Sequence, residues 1–251
     1  MPKDLFSAQA KSYAVYRPTY PPALFQYILS FVEEKEMVWD CATGNGQAAV
    51  PLSRYFRQVK ATDISQAQLN EAPLTTNIEY ILCPAEATPF REATFDLITV
   101  AQAYHWLDWE KFRQEAGRVG KQNCVVAVWM YDIIQSGDED LNSCLQHIYK
   151  NITGPFWDKE RRHVDEHYKS VVFNFAPLPS KDFSIEVEFF KEQLLGYFSS
   201  WSAVQNYTRA RGHSPILLIK ESIDSTWKNE SSQPFSFPVY LRIGRVEKVG
   251  S

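Results

Sequence analysis

Two acidic residues and a glycine turn lie close together in the first half of the chain. Asp40 ends a short apolar run, and Gly44 and Gly46 follow before a helical pattern begins. A second acid, Asp63, ends the next apolar run. Glycine lets the backbone approach a ligand closely because it has no Cβ atom. Since ligands of open parallel sheets bind at the carboxyl ends of the strands, the pattern predicts a nucleotide or nucleoside site.

Short apolar runs alternate with helical patterns around this turn. Strands are predicted at 37–41, 58–63, 78–83, 94–103, 123–131, 183–190 and 235–249, and helices at 22–35, 47–56, 65–72, 108–120, 191–207 (two short ones) and 214–230. The run CVVAVW lacks polar alternation, as expected for a strand buried on both faces. The pattern predicts an α/β fold: a Rossmann-like, doubly wound, mostly parallel seven-stranded sheet with helices on both faces and an inserted or capping helical region. Pro238 favours an edge position or a bulge for the last strand.

Net charge, cysteine spacing and the lengths of apolar runs restrict the functions that the protein can have. The 251 residues carry a formal net charge of −4, which argues against broad nucleic-acid binding. The four cysteines form no CxxC pair and are expected to be free thiols in a reducing compartment. No signal-peptide pattern and no apolar run of membrane-spanning length is present, so a cytoplasmic protein without a membrane partner is expected.

Two ligands suit the glycine turn. Residues 44–49 satisfy the dinucleotide pattern G-x-G-x-x-A, with Asp63 where a ribose-binding acid is expected. However, Asp40 gives the longer pattern D-x-A-x-G-x-G, and a carboxylate before the turn suits a cationic ligand better than a diphosphate. This pattern resembles the first motif of the class I S-adenosylmethionine-dependent methyltransferases, with Ala42 where glycine is most common.

Three later segments resemble the same family in the same order. KATDIS contains Asp63, which the resemblance places on the ribose hydroxyls. CPAEATPF is similar to the family's adenine-binding segment GDAEALPF, although Pro84 replaces its acid. FDLITVAQAYHW is similar to the fourth-strand segment beside the reactive methyl group. The resemblance implies S-adenosyl-L-methionine as cofactor.

The resemblance also assigns residues to the site. It implies cofactor contacts at Tyr13, Arg17, Asp40, Ala42, Thr43, Gly44, Gly46, Gln47, Asp63, Ile64, Ala85, Glu86, Ala101 and Gln102. The substrate pocket is expected to contain Tyr20, His105, Trp106, Trp157 and Trp201. His105 is the candidate catalytic residue, as a base or as a donor that orients the substrate. The HVDEH stretch at 163–167 is interpreted as a solvated helix face, and no metal is predicted.

The N-terminal segment resembles one branch of this methyltransferase family in particular. Residues 6–21 are similar to the F-x-x-x-A-x-x-Y-x-x-x-R-P-x-Y-P opening of a small-molecule branch that includes trans-aconitate-type methyltransferases, with a methyltransferase type 11 domain. The branch implies methylation of a small molecule, on a carboxylate or hydroxyl oxygen. The expected organisation is one domain: a lid at 1–21, a cofactor-binding core at 22–131, a cap or insert at 132–182, and strands and helices at 183–251 that complete the sheet.

Two alternatives remain open at the level of sequence. One is an NAD(P)-dependent oxidoreductase, which the position of Asp40 before the glycines disfavours. The other is a non-catalytic cofactor-binding protein, for which Pro84 is the one supporting feature.

Overall fold

The structure is a computed structural model that describes residues 16–228 and 231–247. Tyr13, an expected cofactor contact, lies outside the described residues, as does most of the expected lid.

The elements alternate in type through the first half of the chain. In chain order the α-helices are α1 (Pro22–Leu29), α2 (Ala49–Leu52), α3 (Gln66–Asn70), α4 (Trp109–Val119), α5 (Glu139–His147), α6 (Arg161–Asp165), α7 (Lys191–Ser199), α8 (Ser202–Arg211) and α9 (Ile216–Asp224). The strands are β1 (Met37–Cys41), β2 (Gln58–Asp63), β3 (Ile78–Leu82), β4 (Phe95–Ala101), β5 (Gly120–Tyr131), β6 (Gln135–Ser136), β7 (Ala176–Pro177), β8 (Phe183–Phe189) and β9 (Gln233–Arg245). A 3₁₀ turn at Tyr104–Trp106 follows β4.

Two helices begin where the sequence predicts, because a side chain caps each of them. The Ser65 hydroxyl accepts the N–H of Gln68 at 3.3 Å at the start of α3. The Asp108 carboxylate accepts the N–H of Lys111 at 3.2 Å at the start of α4. Such caps satisfy N–H groups that the first helical turn leaves without partners.

Other boundaries differ from the sequence pattern. The helix predicted over 22–35 ends at Leu29, because residues 33–36 are exposed and no packing stabilises a further turn. The helix predicted over 47–56 is shortened to α2. The fifth strand begins at Gly120 rather than at 123.

The sheet places its switch point beside the glycine turn. β1 pairs in parallel with β2 on one side and β4 on the other, β3 pairs with β2, and β5 pairs with β4. β9 runs antiparallel to β5 and also pairs with β8. The two-residue strands β6 and β7 pair with β9 as well, so the described residues form nine strands, and the predicted count of seven is not confirmed. The architecture is a Rossmann-like α/β fold.

Each face of the sheet packs on its own hydrophobic core. Alternate residues of a strand point to opposite faces, so Val125 and Ala127 of β5 join one cluster while Val126 and Val128 join the other. All four side chains are fully buried, which confirms the expectation of a strand covered on both sides. Across 16–228 and 231–247, no helix has the length and apolar character needed to cross a membrane.

Of the two positions predicted for Pro238, an edge or a bulge, the edge position is wrong, whereas the pairing of β9 does gain one residue beside Pro238, between Tyr131↔Val239 and Gln135↔Ser236. β9 is an interior strand, because Pro238 lies opposite Ser184 of β8 and its carbonyl accepts the N–H of Asp132 at 2.9 Å. The regular pairing with β5 stops at Tyr131. The proline therefore lies where the ladder to β5 has just ended, and its missing N–H breaks no regular pairing there.

Candidate functional site

A cavity of about 600 Å³ lies at the carboxyl edge of the parallel strands. Its floor consists of the segments that follow β1 to β4, and residues 157–161 face them from the region expected to form a cap. Of the predicted site residues, those that line the cavity are Arg17, Tyr20, Ala42, Thr43, Gly44, Gln47, Asp63, Ile64, Ala85, Glu86, Ala101, Gln102, His105, Trp106, Trp157 and Trp201. The predicted residues Asp40 and Gly46 are buried and do not line the cavity. The structure thus brings cofactor and substrate candidates into one space.

The glycine turn follows β1 in a backbone conformation that strongly limits side chains. Gly44 and Gly46 have φ values of 58° and 86°. Ala42 has a φ of 53°, in the left-handed region that costs an L-residue on the order of 1 kcal/mol. The departure from the family motif at Ala42 is therefore a matter of backbone strain, and not only of side-chain size.

Asp40 acts inside the turn instead of at the cavity surface. Its carboxylate is fully buried and accepts the hydroxyl protons of Thr43 at 2.5 Å and Thr99 at 2.8 Å. Burial raises its pKa to about 6, and the two hydroxyl bonds offset part of that rise. Of the two roles open at the sequence level, direct contact with a cation or orientation of the turn, the geometry supports the second.

Acidification should stabilise the wild-type protein relative to an Asp40→Asn variant. The raised pKa means that Asp40 binds a proton more tightly in the folded state than in the unfolded state, where its value is 3.8. This contribution is fully present below pH 3.8 and is lost as the pH rises through about 6. Between about pH 7.5 and 4.5, the wild-type free energy of unfolding should gain about 2 kcal/mol over the variant. Urea unfolding at both pH values measures it, and a pH-independent difference contradicts the assignment.

Asp63 joins the ends of β1 and β2. One carboxylate oxygen accepts the N–H of Gly44 at 2.8 Å, and the other accepts the N–H of Ser65 at 2.9 Å. Asp63 therefore shapes the glycine turn and also presents a carboxylate at the cavity wall.

At the end of β4, Gln102 turns the chain away from the sheet. Its φ is 54°, and its side-chain amide bonds the backbone of Tyr131 in both directions, at 2.9 Å to the N–H and 3.1 Å to the carbonyl. These bonds continue the pairing of β4 with β5 beyond the strand. Gln102 lines the cavity, but its side-chain amide is hydrogen-bonded to the protein.

His105 is buried in the 3₁₀ turn after β4. Its Nδ1 lies 2.8 Å from the Tyr168 hydroxyl, and burial, followed by the charges of Arg161 and His163, lowers its pKa to about 3. A histidine with this pKa is neutral at pH 7 and is a weak base. The geometry therefore favours the orienting role over the general-base role for His105.

Arg17 lines the cavity and connects two segments of its wall. Its terminal nitrogens donate to the Tyr131 hydroxyl at 2.7 Å and to the Ser200 carbonyl at 3.0 Å, and its guanidinium lies over the Tyr197 ring. The side chain lines the cavity, yet both terminal nitrogens already donate to the protein.

The region 135–182, in which the sequence shows no motif of the family, supplies a cavity residue that the sequence analysis missed. Arg161 lines the cavity next to Trp157, whose ring centroid lies 5.1 Å from that of Trp201. Tyr197 of α7 lines the same part. The aromatic and charged stretch GPFWDKERR is the sequence signal that could have indicated Arg161.

The residues present fit a nucleoside cofactor with a charged amino-acid end. The Oδ1 atom of Asn45 is a buried acceptor with no donor among the described residues, and it belongs to a cavity-lining residue of the turn. A Cβ at Gly44 would contact only Gln68, at 3.7 Å, so the backbone there is open to a ligand. The cavity volume lies in the range of small-molecule sites, about 300–1,000 Å³.

Among residues 16–228 and 231–247, no group of three or more His, Cys, Asp or Glu side chains could hold a metal ion. His163 and His167 bond different partners, Ser170 at 2.8 Å and Asp132 at 3.0 Å. The interpretation of 163–167 as a solvated helix face is wrong for His163, which is buried.

Comparison with known proteins agrees with this geometry. The family model described as a methyltransferase domain matches residues 39–128. A methyltransferase-family protein of Dictyostelium discoideum is 31% identical over 251 residues, covering 97% of this chain and 95% of its own. The CRG1 protein of Saccharomyces cerevisiae, named as an S-adenosylmethionine-dependent methyltransferase, is 26% identical over 190 residues, covering 70% of this chain and 63% of its own. A solved methyltransferase-family structure from Anaeromyxobacter dehalogenans has a TM-score of 0.84 at 31% identity, covering 92% of this chain and 98% of its own.

The fold and the site define a Rossmann-like protein with a small-molecule cavity at the switch point of its sheet. The chain belongs to the S-adenosylmethionine-dependent methyltransferase family, and S-adenosyl-L-methionine is its cofactor.

Proposed function

We propose that this methyltransferase methylates an oxygen atom, of a carboxylate or a hydroxyl, on a small-molecule acceptor. The observation that carries the proposal is the cavity of about 600 Å³, which joins the glycine turn to an aromatic wall containing Trp157 and Trp201. A space of this size suits a cofactor and a small acceptor. The N-terminal resemblance to trans-aconitate-type enzymes supports the same class.

We propose that the turn residues hold the nucleoside end. The Asp63 carboxylate accepts the ribose hydroxyls while its backbone bonds keep Gly44 in place. Asn45 and Gln47 lie along the turn toward the amino-acid end of the cofactor. Ala85 and Glu86, which follow β3, face the adenine, as the family resemblance implies.

S-adenosylmethionine supplies a methyl group already activated by a sulfonium. The task left to this chain is to align the acceptor oxygen and to exclude water. A carboxylate acceptor forms the O–CH₃ bond as the S–CH₃ bond breaks, giving an ester and a thioether with no proton to remove. A hydroxyl acceptor must also release a proton, for which His105, with its pKa of about 3, is poorly suited. A carboxylate acceptor therefore needs no base from the site.

Two measurements test the proposal. S-adenosylhomocysteine should bind the protein at micromolar concentrations, whereas NADH should not bind. A panel of small acids, phenols and amines should then release S-adenosylhomocysteine only with oxygen acceptors. NADH binding would support the oxidoreductase alternative, and turnover restricted to amines would reject O-methylation.

A further inference from the structure

A fixed arginine lies on the cap side of the cavity. Arg161 begins α6, lines the cavity and is 17% exposed. Its Nε donates to the Tyr149 hydroxyl at 2.8 Å, and its guanidinium lies over the rings of Tyr149 and Trp157, 5.2 and 4.8 Å from their centroids. These contacts hold the charged group in place before any ligand arrives.

Two neighbouring donors in this part of the site have no acceptor. No hydrogen bond joins the terminal nitrogens of Arg161 to any residue that the structure describes. The Asp165 carboxylate lies 3.5 Å from Nε and accepts the hydroxyl of Tyr149. The indole N–H of Trp157 is buried and also lacks an acceptor within the described ranges. The Trp157 N–H is shielded from solvent, whereas the terminal nitrogens of Arg161 are not fully buried and belong to a side chain that lines the cavity. They can therefore donate to a ligand that brings acceptors.

We infer that the methyl acceptor carries a carboxylate that binds the guanidinium of Arg161, an inference that rests on the proposed function. The planar guanidinium can donate two parallel N–H bonds to a carboxylate, which fixes the orientation of the ligand as well as its position. The rings of Trp157 and Trp201 form the adjoining apolar wall. An unsaturated or aromatic acid matches this combination of a flat cation and aromatic rings.

The other charged groups around the cap do not supply this function. The terminal nitrogens of Arg17 donate to the protein, as described above. The Asp158 carboxylate accepts the side-chain amide of Asn206 at 3.2 Å. Lys159 also lines the cavity, but its side chain is 89% exposed and its ammonium lies 3.9 Å from Glu160, so it is not held in place as Arg161 is. Arg161 and His105 line the same cavity, and the charge of Arg161 contributes to the lowered pKa of His105.

The test compares acids with their neutral amides on protein saturated with S-adenosylhomocysteine. The pairs are benzoate with benzamide, phenylacetate with phenylacetamide, and succinate with succinamide, at constant ionic strength. Apparent dissociation constants come from the dependence of the melting temperature on ligand concentration. In the wild type the acids should bind at least tenfold more tightly than the amides. Arg161→Gln should remove that preference, and the matched control Arg162→Gln, which changes an exposed arginine of the same helix, should keep it.

Two results with the wild type and Arg161→Gln would overturn the inference. Equal binding of acids and amides by the wild type overturns the inference, as does an acid preference that survives Arg161→Gln. If Arg161→Gln does not fold, Arg161→Met keeps a long side chain against the rings but removes the charge and the donors, and an unchanged preference in that variant equally overturns the inference. Failure of the wild type to bind S-adenosylhomocysteine would instead count against the proposed function, so the two failures are distinguishable.

Discussion

Replacing Asp63 by alanine should weaken S-adenosylhomocysteine binding by about 100-fold, or about 2.7 kcal/mol. The variant loses the proposed acceptor of two ribose hydroxyls, and hydrogen bonds to a charged group contribute about 1.5–3 kcal/mol each. It also loses the carboxylate that holds the N–H groups of Gly44 and Ser65. Titration calorimetry on the wild type and on Asp63→Ala measures the difference.

A second ligand separates these two effects of Asp63. The 2′,3′-dideoxy analogue of S-adenosylhomocysteine lacks the hydroxyls but needs the same turn. The Asp63→Ala change should weaken binding of this analogue by less than tenfold, because only the turn geometry is affected. An equal loss for both ligands would mean that Asp63 shapes the turn without contacting the ribose.

Replacing Gly46 by alanine should lower the free energy of unfolding by about 2–3 kcal/mol. A left-handed backbone costs an alanine about 1–2 kcal/mol, and Gly46 has a φ of 86°. In addition, its Cβ would lie 2.7 Å from the Tyr80 hydroxyl oxygen, closer than van der Waals contact. Urea unfolding of the variant measures the sum of both effects.

Two further variants separate strain from contact at the turn. Tyr80→Phe in the Gly46→Ala background removes the contacted oxygen and should recover part of the lost stability. Gly44→Ala imposes similar strain at a φ of 58°, but the nearest atom to its Cβ is 3.7 Å away. It should therefore cost about 1 kcal/mol in stability and act mainly on cofactor affinity. Equal destabilisation by Gly44→Ala and Gly46→Ala would show that the contact with Tyr80 is unimportant.

The residues that form the floor of the site can be predicted from the sequence, because the patterns that indicate them involve residues close together in the chain. An acid at the end of an apolar run, followed by glycines, fixes where a strand stops and a turn begins. Gly44 and Asp63 are 19 positions apart, yet parallel pairing of their strands places both at one edge, where they share a hydrogen bond. Ser65 and Asp108 likewise act on N–H groups three residues away.

The remaining features depend on packing between distant segments, which a single sequence does not encode locally. A carboxylate at the end of β1 can face a ligand or the interior, and Asp40 faces the interior because Thr99 lies opposite it on β4. Arg161 owes its position to the rings of Tyr149 and Trp157. Nothing in the spacing of these residues indicates that they meet.

The pairing of β9 imposes an order on folding. β9 lies between β5 and β8, and it joins Val125 to Arg245 across 120 positions of the chain. A ribosome must therefore release residues 233–245 before β5 can pair along that edge. Until then β5 presents unpaired N–H and carbonyl groups, which are prone to intermolecular strand pairing. We therefore expect this protein to fold slowly after synthesis and to need chaperone protection while it does.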